Sequence, residues 1–195
     1  MDVRLIIPAR YSSSRFPGKP LVDLAGKSMI QRVWEICIQV VPMEQVYVAS
    51  DDERIEKHCK DIGIQTVMTS RRCLTGTDRV YDASRRVDAE FYINVQGDEP
   101  LLDPNDIRLF LKACCSHPNR VVNAMCQISE ESEYISSTVP KVVTRPDGRL
   151  LYMSRSPIPS NKSRSFVTAM KQVCIYGFPK LALAAFASVS DKTPL

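Results

Sequence analysis

The chain has 195 residues, 44% of them hydrophobic and 25% charged, proportions that exclude a disordered tail, a collagen and a coiled coil. At this size folding buries roughly 70% of the unfolded chain's surface, enough for a core without metal or disulfide staples. Lys and Arg together number 26 against 22 Asp and Glu, a net charge of +4. The excess is spread out rather than gathered into the basic stripe of a nucleic-acid binder, and suits an anionic small molecule better than DNA.

The opening MDVRLIIPAR lacks the apolar core and cleavage site of a signal peptide. No stretch approaches the ~18 apolar residues of a membrane span. The seven cysteines, at 37, 59, 73, 114, 115, 126 and 174, form no C-x-x-C pair, and His58 and His117 are the only histidines. That pattern fits neither a disulfide framework nor a zinc site, and points to a reducing, cytoplasmic home away from any membrane. The adjacent Cys114 and Cys115 read as small apolar filler near a helix end.

In chain order, Val3 to Pro8 is a short apolar run, the mark of a strand covered on both faces. Ser28 caps a predicted helix whose apolar residues, from Met29 to Val40, recur at helical spacing before Pro42. Gln45 to Ser50 reads as a strand, Asp52 to Ile62 as a helix stopped by Gly63, and Gln65 to Thr69 as a third strand. Thr77 to Val87 is predicted helical, Phe91 to Gln96 a buried strand, and Pro104 to Cys115 a helix with proline in its first turn. This alternation predicts an α/β fold with parallel strands and right-handed crossovers.

From Arg120 the texture changes. Val121 to Ile128 is strand-like, Lys141 to Thr144 and Arg149 to Met153 flank Pro146-Asp147-Gly148 in a hairpin, and Lys171 to Phe178 is strand-like again. Ser160 to Ser165 reads as a mobile polar loop, and Leu181 to Val189 as a helix. The chain then stops at Leu195 just after a proline, where another element would begin, and truncation is the expectation. The whole of 1–195 is taken as one domain, with a first part over about 1–118 and a second over about 119–195.

Three segments, each after a predicted strand, carry the chemistry. Ligands of open α/β sheets bind outside the carboxyl ends of the strands. The loop after the first strand holds Arg10, Arg15 and Lys19, the hydroxyls of Ser12, Ser13 and Ser14, and Gly18. It reads as a triphosphate cradle or, on composition alone, as a solvated basic loop. It is neither a Walker A nor a G-x-G-x-x-G turn. Asn94-Val-Gln-Gly-Asp-Glu-Pro100 places Asp98 on a glycine turn, as a ligand for Mg²⁺, which takes one or two carboxylates and fills its shell with phosphate oxygens and water, or as a simple turn cap. In Leu74-Thr-Gly-Thr-Asp-Arg79, the residues Thr75, Gly76 and Thr77 open a helix whose amides can face a nucleotide, although Thr-Gly-Thr-Asp is also ordinary cap chemistry.

With Tyr152-Met-Ser-Arg-Ser-Pro-Ile-Pro159, these segments closely resemble the 3-deoxy-manno-octulosonate cytidylyltransferase (CMP-Kdo synthetase) family, in order and over essentially the whole chain. The resemblance implies a Rossmann-like nucleotidyltransferase fold, a mostly parallel mixed sheet flanked by helices with an antiparallel hairpin excursion. It implies transfer of the cytidylyl group of CTP to Kdo with Mg²⁺, for lipopolysaccharide synthesis, by a homodimer. It also makes 1–118 the CTP-binding half and 119–195 the sugar-acid and dimerisation half.

Carried over, Arg10, Arg15 and Lys19 are triphosphate contacts, with Ser12, Ser13, Thr75, Gly76 and Thr77 beside them in the nucleotide site. Asp98 is the metal ligand, and Arg10, Lys19 and Asp98 form the catalytic group. Gln96, Arg155, Gln172 and Tyr176 are the sugar-acid residues: a guanidinium suits a carboxylate, amide and phenol suit hydroxyls. Two positions depart from the pattern: Cys73 and Gln172 stand where the family has histidines. The second leaves 8-amino-Kdo or another 3-deoxy-ulosonic acid as alternatives. The family's C-terminal L-E-x-x-E-x-L-R and V-D-x-P-E-D-L segments, the latter with a second metal-binding Asp, are not in these residues. The implied chain therefore binds CTP and is short of part of the sugar site. Sialic-type acids are disfavoured because the loop reads Arg15-Phe-Pro-Gly-Lys-Pro20, and a non-catalytic nucleotide-binding fragment is the alternative of another class.

Overall fold

Apolar runs of the kind found at Val3 to Pro8 are stable only where both faces of a strand are covered, and that is how they are used. A computed structural model describes residues 1–12 and 16–189. Its strands are β1 (Val3–Ala9), β2 (Val46–Ser50), β3 (Thr66–Met68), β4 (Phe91–Val95), β5 (Val122–Gln127), β6 (Lys141–Thr144), β7 (Leu150–Ser154) and β8 (Met170–Pro179). Its α-helices are α1 (Met29–Cys37), α2 (Glu53–Asp61), α3 (Gly76–Ser84), α4 (Pro104–Ser116), α5 (Glu131–Ile135) and α6 (Lys180–Ser188). The chain forms two compact units: residues 1–122 with 175–195, and residues 123–174.

In the first unit β1 lies between β2 and β4, parallel to both, and β3 extends the parallel run beyond β2. All five residues of β4 are buried. The C-terminal part of β8 joins β4 antiparallel, with Phe91 opposite Pro179 and Val95 opposite Ile175. Ile6, Val80, Ala83, Tyr92, Phe178 and Leu183 form one core cluster, so α3 and α6 cover that face of the sheet. A Cβ at Gly177 would lie 2.7 Å from Cys114 Sγ and 2.8 Å from Phe91 Cε1. Only glycine therefore lets α4 come down onto β8 at this point, and Cys114 is packing material, as expected of it, whereas Cys115, expected to pack with it, is exposed. Burial pushes the thiols of Cys37, Cys59 and Cys114 up to about 12.

In the second unit β6 pairs antiparallel with β7 around the hairpin turn at Gly148 and with the N-terminal part of β8, to which β5 also pairs. A small core of Ile128, Tyr134 and Ala169 packs with Phe166. The segment 160–165 has neither helix nor strand, and Asn161 bonds Ser163 and Ser165 within it.

The expected alternation of strands and helices is present, with four differences, the first being that α3 ends at Ser84 rather than at Val87. Helix α1 stops at Cys37, and i→i+3 bonds from Gln39 to Ile36 and from Val40 to Cys37 tighten the chain after it; β-branched Ile38, Val40 and Val41 before Pro42 disfavour continuation. Helix α5 was not expected, since five residues are too few to show a period. Single 3₁₀ turns occupy Lys19–Leu21 and Met43–Gln45. Among the described residues no helix is long and apolar enough to cross a membrane. The terminal stretch Asp191 to Leu195 lies outside the described residues, as do Ser13, Ser14 and Arg15.

Candidate active site

The three loops singled out in the sequence leave the carboxyl ends of β1 and β4 and enter α3, and in the first unit they meet around one cleft of about 700 Å³. Arg10, Ser12, Phe16 and Lys19 line it from the first loop, Gln96, Gly97 and Asp98 from the exit of β4, and Gly76 and Arg79 from α3. The contact that brings these loops together is at Gly97. A Cβ there would lie 2.9 Å from the Pro8 carbonyl oxygen and 3.3 Å from Ile30 Cδ1, so the β4 exit passes against the end of β1 only as glycine.

Lys19 Nζ donates to Asp98 Oδ2 at 2.7 Å across the cleft. Arg10 Nη2 donates to the Leu74 carbonyl at 3.1 Å, directly before the start of α3. The two ends of the first loop are pinned at its base. Gly18 N–H donates to the Tyr11 carbonyl at 2.8 Å, and Gly18, at φ +72°, packs so closely on the Tyr11 ring that a Cβ would sit 3.1 Å from Cζ. On the ring lies the Arg54 guanidinium, 3.3 Å from the centroid. Arg54 also donates to both carboxylate oxygens of Asp52, at 2.9 and 2.7 Å, and these bonds hold the Asp52 carboxyl below the usual range.

At the start of α3, Thr75 and Asp78 close a reciprocal capping box: Thr75 Oγ1 accepts from Asp78 N–H at 3.2 Å, and the Asp78 carboxylate accepts from Thr75 N–H at 2.8 Å. The Thr75 hydroxyl also donates to Asp78, at 2.7 Å. What the helix offers the cleft is therefore its first-turn backbone at Gly76, more than the Thr75 side chain. Gly76 sits close to Gln96 Nε2, 3.2 Å from an added Cβ. Gln96 in turn donates to Asn94 Oδ1 at 3.1 Å, and Asn94 lies opposite Tyr176 in the β4–β8 register.

One cleft residue, Arg79, and one buried residue behind the cleft, Asn94, escaped sequence reasoning. Arg79 is 2% exposed, and donates to Thr69 Oγ1 at 2.6 Å and Asp51 Oδ2 at 3.0 Å. Its signal was its place in Thr-Gly-Thr-Asp-Arg, one helical turn after the cap. Asn94 is fully buried, and among the described residues its Nδ2 has no partner, a polar group inside an apolar strand that asks for a reason. Cys73, directly before the Leu74 carbonyl that Arg10 holds, has its thiol raised mainly by burial, with the Arg79 charge opposing.

The expected sugar-acid residues divide between the units. Gln96 and Tyr176 belong to the first, Arg155 and Gln172 to the second. Arg155 is exposed, and its Nη1 donates at 3.0 Å to the carbonyls of both Ser137 and Thr138. Gln172 Nε2 donates to Asn123 Oδ1 at 3.2 Å.

The family model for cytidylyltransferases matches residues 5–192. The chain belongs to the cytidylyltransferase family. It is 37% identical, over 97% of its own length and 77% of the relative's, to the 3-deoxy-manno-octulosonate cytidylyltransferase of Escherichia coli. It is 38% identical, over 97% of itself and 79% of the relative, to the 8-amino-3,8-dideoxy-manno-octulosonate cytidylyltransferase of Shewanella halifaxensis. The solved structure of CMP:2-keto-3-deoxy-manno-octonic acid synthetase complexed with CTP superposes with a TM-score of 0.91 at 36% identity, covering 98% of this cytidylyltransferase chain and 80% of that one. The expected nucleotidyltransferase fold is therefore the fold observed.

Proposed function

We propose that the chain transfers the cytidylyl group of CTP to 3-deoxy-manno-octulosonate, forming CMP-Kdo and diphosphate. The observation that carries this is the meeting, in one cleft, of the Arg10 and Lys19 loop with the Asp98 turn. The kinship with a CTP-bound relative supports it. The anomeric hydroxyl oxygen of the sugar acid attacks the α-phosphorus, the bond to the bridging β-phosphate oxygen breaks, diphosphate leaves, and the hydroxyl proton passes to solvent. Such a transfer needs positioning and neutralised charge rather than a covalent nucleophile. Arg10, Arg15 and Lys19 are assigned to the phosphates, with Ser12, Ser13 and the α3 start at Thr75 to Thr77 beside them. Gln96, Tyr176 and Gln172 are assigned to sugar hydroxyls, and Arg155 to the carboxylate.

The family implies Mg²⁺, and the donors present suit it. Asp98 is a hard, half-exposed carboxylate on the cleft wall with a lysine as its ion-pair partner, and Mg²⁺ takes few protein ligands when phosphates supply the rest. Among the described residues no cluster of three metal-type side chains exists, so Asp98 is the residue that would hold the ion there. When bound, the ion neutralises phosphate charge. A cytoplasmic, homodimeric enzyme of lipopolysaccharide synthesis is the setting that goes with this reading.

Diphosphate release in the presence of CTP, Mg²⁺ and Kdo tests the proposal; no release with any 3-deoxy-ulosonic acid would overturn it. A second reading, transfer to 8-amino-Kdo, is favoured by the equal kinship to a relative of that name and by Gln172 in place of histidine. Competition between the two sugars, read as the ratio of kcat/KM values, decides between them.

A further inference from the structure

Lys141 is a fully buried lysine, and among the described residues it forms no ion pair. A buried ammonium without a carboxylate is costly unless its donors are well placed. Here Nζ donates to the Arg155 carbonyl at 2.6 Å and to the Ser136 carbonyl at 2.7 Å. Arg155 returns the connection: its Nη1 rests on the carbonyls of Ser137 and Thr138, the residues immediately after Ser136. Lys141 thus grips both the backbone from which the Arg155 side chain springs and the turn on which its guanidinium sits.

The register adds a second observation. On β6, Lys141 lies opposite Ser154 of β7 and Lys171 of β8, the residues directly before Arg155 and Gln172. Lys171 is neutralised by Glu133. Arg155, like Lys141, has only carbonyl partners, and among the described residues its Nε and Nη2 make no hydrogen bond. That pair of N–H groups forms the edge a carboxylate meets bidentately. Two cations held by successive carbonyls of one turn, Lys141 on Ser136 and Arg155 on Ser137 and Thr138, make a positive site suited to an anion, and their mutual repulsion agrees with the lowered proton affinity of Lys141, where burial acts first and the Arg155 charge second.

We propose that Lys141 is a positioning residue for Arg155, its ammonium fixing both supports of the guanidinium so that the sugar acid's carboxylate meets it in one geometry. The proposal rests on the reading of Arg155 as a sugar-acid contact. The test is steady-state kinetics of the full-length protein carrying K141M, R155A or both. K141M is expected to raise the KM for the sugar acid at least tenfold, with the KM for CTP within twofold of the parent. In the R155A background the same change is expected to add less than threefold. A full additional loss in the double variant, or an unchanged sugar-acid KM in K141M, overturns the positioning role. An unchanged sugar-acid KM in R155A overturns instead the reading of Arg155. If K141M does not fold, K141Q, which removes the charge and keeps an N–H donor, carries the same comparison; failure of both to fold overturns the proposal in favour of a purely structural lysine.

Discussion

Lys19 and Asp98, 79 residues apart in sequence, form an ion pair of 2.7 Å in which both side chains are substantially exposed, at 38% and 48%. An exposed pair of this kind contributes about 0–1 kcal/mol to stability, too little to explain it as a structural clamp. On the proposed function, the pair is one that opens to ligands: a triphosphate would draw the lysine and a divalent cation the aspartate. Asp98→Asn is therefore expected to leave the thermal midpoint within a few degrees of the parent while abolishing Mg²⁺-dependent turnover. A variant that keeps both its rate and its Mg²⁺ dependence would remove Asp98 from the metal site.

Lys19→Ala and Arg10→Ala are expected to weaken CTP binding much more than CMP binding, because the charges they remove are assigned to the outer phosphates. A charge-assisted contact is worth roughly 1.5–3 kcal/mol, about 10- to 150-fold in affinity. Calorimetry with the two nucleotides checks this, and equal weakening of both would show that the loop does not read the triphosphate tail.

At Gly177 the prediction is a suppressor. Gly177→Ala forces a methyl into Cys114 Sγ and the Phe91 ring, and overpacking of this sort costs about 1–3 kcal/mol. Adding Cys114→Ala removes the nearer obstacle and should recover part of that loss, seen as a coupling of opposite sign in urea-unfolding midpoints.

Cys37 sets a pH dependence. Its buried thiol keeps its proton up to about 12, whereas the unfolded chain releases it near 9.0. Between those values the folded state binds more protons than the unfolded one, so stability falls as pH rises, by about 1.4 kcal/mol per pH unit for one such group. Cys37→Ala should lose stability less steeply above pH 9.0 than the parent. Identical slopes in urea titrations from neutral to alkaline pH would contradict the assignment.

The parallel part of the sheet was legible because strands buried on both faces carry near-continuous apolar runs, as in Leu5 to Ile7 and Phe91 to Val95. Antiparallel pairing in the second half was legible from its hairpin, yet the partner of β4 was not: Val95 and Ile175 meet across eighty residues, and no local pattern encodes so distant a match. The three cleft loops could be found because glycine, cations and an acid after a strand are chemically odd. Lys141 could not, since a lone cation in a strand reads as solvated until the structure places it inside; the motif around Arg79 was visible, but its burial was not.

Gly97 and the Pro8 carbonyl have a consequence for anyone exchanging parts between relatives. The exits of β1 and β4 touch backbone to backbone with no room for a methyl, so neither can be lengthened, shortened or grafted from another enzyme while the other stays as it is. A chimera that imports the loop after β1 must import the turn around Gly97 with it. In modular terms the two form a single cassette, although eighty-eight residues of other structure lie between Pro8 and Gly97.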